Sequence, residues 1–135
     1  MAEGIVRKEF ADNGIDIQID SAGTAAYHVG EGADNRAQAE LRKHGIDISD
    51  ERAQKFIPTH FQEYDLIFAM DRENYADIIY QAQSDEEIAK VEMLMNMIEP
   101  GKNISVPDPY YGGDEGFKEV YRMIKKAAEV LVGRS

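Results

Sequence analysis

The sequence predicts a doubly wound α/β domain of three layers, built around a parallel sheet. Helical and strand-like periodicities follow each other along the 135 residues in the order helix, strand, helix, strand, helix, strand, helix. That order is typical of right-handed crossovers between parallel strands. Residues 65–70 form a nearly continuous apolar run, as expected of a parallel strand that is buried on both faces. A chain of this length is expected to form one domain, covering residues 1–135.

The composition argues against several classes of partner and site. A net charge of −11 repels nucleic acid and anionic membranes, so neither is expected as a partner. No apolar run approaches the roughly 18 residues of a membrane span, and the N-terminus lacks the apolar region of a signal peptide, so we expect a cytoplasmic protein. The chain has no cysteine, and its three histidines lack metal-ligand spacing. We therefore expect no disulfide, no metal and no other cofactor.

The first helix and the first strand are predicted from the spacing of apolar residues. The apolar positions of the helix recur at helical intervals: Ala2, Ile5, Val6 and Phe10. Gly14 is a plausible C-terminal cap, whereas nothing before Met1 can cap the first N–H groups. Residues 15–20 alternate strictly between isoleucine and polar residues, which predicts a strand with one covered face.

Capping residues predict where the later helices begin. Asp34 begins a helix that Gly45 ends, and Asp71 begins one that follows the apolar strand. Capping boxes are predicted at residues 59–62 and 84–87. Residues 91–95 are partly alternating and predict a third strand, and a long amphipathic helix runs from about Asp114 to Gly133.

The strand count does not match the helix count. Three predicted strands accompany four sizeable helices, and no strand leads into the first helix. The fold therefore looks as though it begins halfway through a βαβ unit. We expect a first strand upstream of Met1, missing from this sequence, with three strands remaining.

The candidate site lies where the predicted strands end, because ligands of open α/β sheets bind beyond the carboxyl ends of the strands. Residues 21–24, Asp71 and Asp108 occupy those positions. Asp71 is predicted to be a helix cap. Ser21 and Thr24 can bond either a ligand or a neighbouring loop. His44, at a helix C-terminus, is favoured as a structural hydrogen-bond donor over a catalyst, and Tyr27 fits either a surface or a pocket.

The loop around Asp108 is the strongest functional candidate. Residues 99–114 show no periodicity and contain three of the four prolines of the chain. Loops of more than about 12–15 residues without regular structure are usually functional or disordered, and the adjacent Tyr110 and Tyr111 argue against disorder. The loop either presents a carboxylate for general acid–base chemistry or is a Pro-Asp-Pro turn whose tyrosines pack on the body.

Several segments together resemble one family, the low-molecular-weight protein-tyrosine phosphatases. They are residues 1–4, 20–24 with Tyr27, 43–46, 64–71 and 108–112, and they follow the order and spacing of that family along essentially the whole chain. The resemblance implies the phosphotyrosine phosphatase I-like fold. It also implies an enzyme that hydrolyses phosphotyrosine proteins or small aryl phosphates through a covalent phosphocysteine.

The same resemblance implies roles for individual residues. Asp108 matches the aspartate that protonates the leaving tyrosine oxygen and then activates water. The aromatic walls that hold the phosphotyrosine ring are matched by three tyrosines: Tyr27, Tyr110 and Tyr111. Ser21 and His44 match residues that brace the phosphate loop through hydrogen bonds.

The chain departs from the family at the nucleophile. Family members carry a Cys-x5-Arg-Ser/Thr phosphate loop between the first strand and the first helix, whereas this sequence starts where that loop ends and has no cysteine. We expect a phosphatase that lacks its N-terminal segment and is inactive as it stands, because a general acid without a nucleophile has no step to assist. Substrate turnover is expected only when the missing segment is supplied. A third possible activity, arsenate reduction on a related fold, also needs cysteines, which this chain lacks.

A second interpretation is a non-catalytic protein that binds a partner through the aromatic loop or the vacant strand position. In both interpretations we expect self-association, because a vacant strand position exposes unpaired backbone and apolar surface.

Overall fold

The computed structural model describes residues 1–23, 32, 34–52, 54–109 and 113–134. The helices within these ranges are α1 (Ala2–Asp12), α2 (Asn35–Arg42), α3 (His60–Glu63), α4 (Arg72–Gln81), α5 (Asp85–Ala89) and α6 (Gly113–Gly133). The strands are β1 (Ile67–Ala69) and β2 (Val91–Met93), and a 3-10 turn, Leu94–Met97, follows β2 directly. None of the helices formed by the described residues combines the length and apolar content that a membrane span requires.

The two strands form a parallel pair. The register places Ile67 opposite Val91, Phe68 opposite Glu92 and Ala69 opposite Met93. The connection from β1 to β2 runs through α4 and α5, and α4 packs against both strands. A helix that connects two parallel strands is the β-α-β crossover of α/β folds, so the predicted α/β fold with a parallel sheet is confirmed.

The structure corrects the strand that was expected at residues 15–20. Within the described residues this segment pairs with no other strand, and its Ile17 side chain is 48% exposed. The chain first pairs at Gly23, whose N–H donates to the carbonyl of Gln54 and whose carbonyl accepts from the N–H of Phe56, both at 2.7 Å. A strand needs a neighbouring backbone to fill its ladder. Sequence alternation predicts which face is covered but supplies no neighbour, so the described sheet has two strands where three were expected.

The buried side chains form two clusters. The larger joins α1, α2 and α6, and the smaller lies between the sheet and α4. The predicted apolar stripe of α6 is confirmed, since its buried residues include Phe117, Val120, Ile124 and Ala128. Burying each large apolar side chain stabilises the fold by about 1.5–3 kcal/mol. At the edge of this core Lys125 Nζ donates to Glu9 Oε2 at 2.6 Å, which links α6 to α1, and this hydrogen bond raises the pKa of Lys125.

Most of the predicted helix caps are present. The Asp34 carboxylate accepts from the N–H of Arg36 at 2.8 Å, and the Asp71 carboxylate accepts from the N–H of Asn74 at 2.7 Å. Ser84 Oγ accepts from the N–H of Glu87 at 3.2 Å. The capping box predicted at residues 59–62 is wrong, because Thr59 makes no side-chain cap hydrogen bond. There the Nδ1 of His60 instead accepts from the N–H of Ile57 at 3.1 Å.

Candidate active site

Asp108 lies on an exposed loop at the carboxyl end of the sheet. The loop follows β2 in the chain and crosses to the end of β1, where the N–H of Val106 donates to the carbonyl of Met70 at 2.8 Å. The Val106 side chain is buried, whereas Asp108 is exposed. This edge is where ligands of parallel α/β sheets bind, so the loop places the exposed residue Asp108 at the expected edge.

A close backbone contact with α6 holds the same loop from the other side. Gly116 lies in the first turn of α6, and a Cβ added to it would sit 2.4 Å from the carbonyl oxygen of Pro109 and 3.3 Å from its Cα. Glycine is the residue that allows two backbones to approach so closely. The sequence reading missed this role of Gly116. The available signal was a glycine inside an otherwise amphipathic helical pattern.

The segment before Asp108 is held by the start of α4. The N–H of Arg72 donates to Ser105 Oγ at 3.2 Å, and its Nε donates to the carbonyl of Asn103 at 2.9 Å. Asn103 has a φ of +53°, a left-handed conformation that asparagine tolerates better than most residues. Its N–H donates to the Oδ1 of the buried Asn96 at 2.9 Å, and the Nδ2 of Asn96 donates back to Asn103 Oδ1 at 2.9 Å. Together these bonds make a rigid support for the loop that the sequence did not predict.

The three predicted aromatic walls lie outside the described residues. Tyr27 falls within residues 24–31, and Tyr110 and Tyr111 fall within residues 110–112. Their proposed contact with a phosphotyrosine ring remains a prediction.

Ser21 lies at the first turn of α1. Its Oγ donates to Glu3 Oε1 at 2.8 Å, and its carbonyl accepts from Gln54 Nε2 at 2.8 Å. Glu3 also pairs with Arg7 at 3.0 Å. The side chain of Ser21 is thus tied to the start of the helix that, by the family resemblance, follows the phosphate loop.

Glu51 lies beside the same helix start. Its Oε2 is buried and makes no hydrogen bond within the described structure. It also lies 3.5 Å from where a Cβ on Gly4 would sit. Burial raises the pKa of this carboxyl, and the nearby Glu3 carboxylate raises it further, because both disfavour the charged form. The sequence reading did not single out Glu51.

Asp20 precedes Ser21, and its pKa is shifted in the opposite direction from that of Glu51. The Tyr64 hydroxyl donates to its carboxylate, and Gln18 Nε2 donates to it at 3.0 Å. These two hydrogen bonds, that from Tyr64 first, hold the pKa of Asp20 below its ordinary value, since both stabilise the charged form.

His44 occupies a position between α2 and α6. Its Nε2 lies 3.0 Å from Oε2 of the buried Glu40, and its ring stacks on Tyr121 with centroids 3.6 Å apart and planes 9° apart. Within the described residues no hydrogen bond or ring contact joins His44 to Ser21, so the structure does not bring these two predicted braces into contact. The bonds of His44 fit a structural donor that fixes the end of α2 against α6.

Comparison with known proteins identifies the family. A family model described as low molecular weight phosphotyrosine protein phosphatase matches residues 1–134. A putative low molecular weight protein-tyrosine-phosphatase from Synechocystis sp. is 40% identical over 133 residues, covering 97% of this chain and 84% of that protein. A low molecular weight protein-tyrosine-phosphatase from Streptomyces coelicolor is 37% identical over 137 residues, covering 98% and 82% respectively.

A solved structure agrees with the sequence relatives. The crystal structure of a protein tyrosine phosphatase from Entamoeba histolytica, with Hepes in its active site, superposes with a TM-score of 0.90 at 30% identity. The superposition covers 98% of this chain and 85% of that one. Fold, sequence identity and family model therefore agree along nearly the whole chain. The chain belongs to the low molecular weight phosphotyrosine protein phosphatase family.

Proposed function

We propose that this chain forms the acid-bearing part of a protein-tyrosine phosphatase that hydrolyses phosphotyrosine proteins or small aryl phosphates through a phosphocysteine. The observation that carries the proposal is the exposed Asp108 carboxylate on a loop anchored to the carboxyl end of the sheet. The N–H of Val106 donates to the carbonyl of the residue directly after β1. The backbone of Gly116 packs on Pro109, and Arg72 bonds the segment that precedes the loop. Such fixed placement is what a general acid requires.

The proposed reaction divides the work between this loop and a cysteine. The thiolate attacks phosphorus, a sulfur–phosphorus bond forms and the bond from phosphorus to the tyrosine oxygen breaks, while Asp108 gives its proton to that oxygen. In the second step water attacks the phosphocysteine, and the Asp108 carboxylate accepts the proton of the water. The sulfur–phosphorus bond breaks, the thiolate and the protonated Asp108 are both restored, and the products are the free phenol and inorganic phosphate.

The other predicted site residues take supporting roles in this proposal. Tyr27, Tyr110 and Tyr111 line the ring of the substrate. The hydrogen bond from Ser21 to Glu3 in the first turn of α1 supports a role for Ser21 in bracing a phosphate loop that leads into this helix. His44 acts less directly, through the packing of α2 on α6, which its stack on Tyr121 maintains.

The 135 residues contain no cysteine, so the proposed nucleophile has to come from a segment outside them. We expect no measurable hydrolysis of p-nitrophenyl phosphate by the pure 135-residue chain. Clear turnover that follows this protein through purification would contradict the proposal.

The matching experiment extends the chain at Met1 with a strand and a Cys-x5-Arg-Ser loop. Hydrolysis is expected to appear, and with phenyl phosphate, whose leaving group needs a proton, Asp108→Asn in the extended protein should lower the rate by about 10²–10⁴-fold, the usual contribution of a general acid. Asp77→Asn, an exposed aspartate on α4, is the matched control and should leave the rate unchanged. An Asp108→Asn variant as fast as the parent with phenyl phosphate would mean that another group is the acid.

Self-association is a second proposal, supported by residues 15–20. This extended segment has no ladder partner within the described residues, and Ile17 is 48% exposed, which is the kind of edge that pairs with another chain. Light scattering should show dimers or larger species of the 135-residue chain, and Ile17→Lys should shift them toward monomer. A stable monomer at all concentrations would contradict this proposal. It would also argue against strand exchange and against a non-catalytic binding role for this edge.

A further inference from the structure

We propose that a cavity beside the acid loop binds an acidic side chain of the substrate, two to four residues from the phosphotyrosine. The cavity is an open cleft of about 370 Å³ that is lined by Arg72, Tyr75, Met93 and Asn103. That volume lies within the range of about 300–1,000 Å³ typical of ligand pockets. The proposed substrate class, phosphotyrosine peptides with a nearby acidic residue, rests on the proposed phosphatase function. The binding of a carboxylate in the cavity does not depend on that function.

Arg72 is the residue that gives the cavity its preference for anions. Its Nε donates to the carbonyl of Asn103, and in the described part of the chain neither of its Nη atoms has a hydrogen-bond or ion-pair partner. Three other exposed arginines differ, since Arg7, Arg36 and Arg122 each pair with a carboxylate. A guanidinium with unused N–H donors is suited to bind a carboxylate in a two-point contact.

The guanidinium is held in place before any ligand arrives. The Asn103 carbonyl that orients it belongs to a residue in the left-handed conformation, fixed by the pair of bonds with Asn96, which is 6% exposed. Asn96 is fixed in turn by Glu92, whose Oε1 accepts from its Nδ2 at 2.6 Å. A side chain positioned by such supporting bonds loses little freedom when it binds.

Two carboxylates near the cavity already accept hydrogen bonds from backbone N–H groups. Glu92 Oε1 accepts from the N–H of Met93 at 2.8 Å. Asp71 accepts from the N–H of Asn74 at 2.7 Å. The remaining lining is apolar or aromatic, from Met93 and Tyr75. This arrangement suits a glutamate, whose methylene groups contact the apolar wall while its carboxylate meets Arg72.

The cavity lies close enough to the acid loop for one short peptide to contact both. Arg72 bonds Ser105, which precedes Asp108 by three residues, and three residues of extended chain span at most about 11 Å. A bound peptide covers a separation up to this limit with about three residues. An acidic residue at that separation therefore reaches the cavity while the phosphotyrosine faces Asp108.

The test is an NMR titration of the 135-residue chain with two unphosphorylated peptides, acetyl-Glu-Glu-Gly-Tyr-amide and its Gln-Gln counterpart. The glutamate peptide should give saturable shifts at Arg72 Nε–H and the Asn103 N–H, weakening as salt rises, and the glutamine peptide should give none. Equal shifts from both peptides, or shifts from inorganic phosphate alone, would overturn the proposal. Because no phosphate ester is involved, the result is independent of whether the protein is a phosphatase.

Variants sharpen the same titration. Arg72→Gln should weaken binding of the glutamate peptide by about ten-fold or more, the usual loss for a hydrogen bond to a charged group. Arg72→Lys keeps the positive charge but not the two-point donor geometry of the guanidinium, so it should give an intermediate loss of affinity. This variant replaces Arg72→Gln as the test if Arg72→Gln disturbs the Asn103 contact. Arg122→Gln makes the same change of net charge on α6 and should leave the affinity unchanged. Equal losses for Arg72→Gln and Arg122→Gln would refute a specific site.

Discussion

The contact between Gly116 and Pro109 makes Gly116→Ala a direct probe of how the acid loop is held. The added Cβ would lie 2.4 Å from the Pro109 carbonyl oxygen, whereas real Cβ contacts essentially never fall below 3.0 Å. Because the obstructing atoms are backbone, the loop itself has to move. Such overpacking costs about 1–3 kcal/mol, against a gain of about 0.5–1 kcal/mol for replacing a helical glycine by alanine. The net expectation is a loss of up to about 2.5 kcal/mol.

The matched control lies in the same helix. Gly133 ends α6, and nothing lies within 4 Å of its added Cβ, so Gly133→Ala should be neutral or slightly stabilising. Urea unfolding of both variants gives the comparison, since a change of midpoint at constant slope reports stability. The amide shifts of Val106 and Asp108 should change in Gly116→Ala alone. If Gly116→Ala proves as stable as Gly133→Ala, the backbone contact does not hold the loop and the reasoning fails.

Three further predictions concern stability. Glu51→Gln should match the parent in stability near pH 4 and be more stable than the parent at pH 7. The folded-state pKa of Glu51 is raised above its ordinary 4.5, so this acid stabilises the fold least once the pH exceeds the folded-state pKa. Thermal unfolding between pH 4 and 8 is the measurement, and a variant less stable than the parent at pH 7 would contradict the prediction. Tyr64→Phe should let the pKa of Asp20 rise toward its ordinary value. The variant should then lose less stability than the parent as the pH falls below about 4, and the difference should be under about 1 kcal/mol for this exposed pair. NMR titration of Asp20 is the measurement, and an unchanged pKa would refute the role of the hydroxyl. Ile124→Ala, at a fully buried position, should cost about 2–5 kcal/mol in urea unfolding, whereas Ile88→Ala, 40% exposed, should cost far less, and equal costs would argue against the assigned core.

Local signals in the sequence predicted the elements that local chemistry determines. Asp34, Asp71 and Ser84 cap helices as expected, because a cap involves donors only two or three residues away. The apolar stripe of α6 is likewise a property of one helix and one period. His44, at the end of α2, was favoured as a structural donor, and its bond to Glu40 four residues earlier agrees with that interpretation.

The features that sequence reasoning missed depend on distant neighbours. Residues 15–20 carry a strand pattern, but whether a strand forms is decided by a backbone beside it. Gly116 matters because Pro109, on another segment, meets its Cα. Arg72 matters because Asn103, thirty-one residues later, presents a carbonyl to its Nε. No local pattern encodes these contacts. The last two nevertheless involve residues that depart from regular structure, a glycine inside a helix and an asparagine with positive φ.

The central claim is that Asp108 is the general acid of a phosphatase whose nucleophile lies outside these 135 residues. The most direct measurement compares hydrolysis of phenyl phosphate and p-nitrophenyl phosphate by the chain extended with a Cys-x5-Arg-Ser loop, with and without Asp108→Asn. Phenol leaves poorly without a proton, whereas p-nitrophenolate leaves readily. We predict a loss of about 10²–10⁴-fold for phenyl phosphate and a clearly smaller loss for p-nitrophenyl phosphate. Equal losses for the two esters would contradict the assignment of Asp108 as the acid.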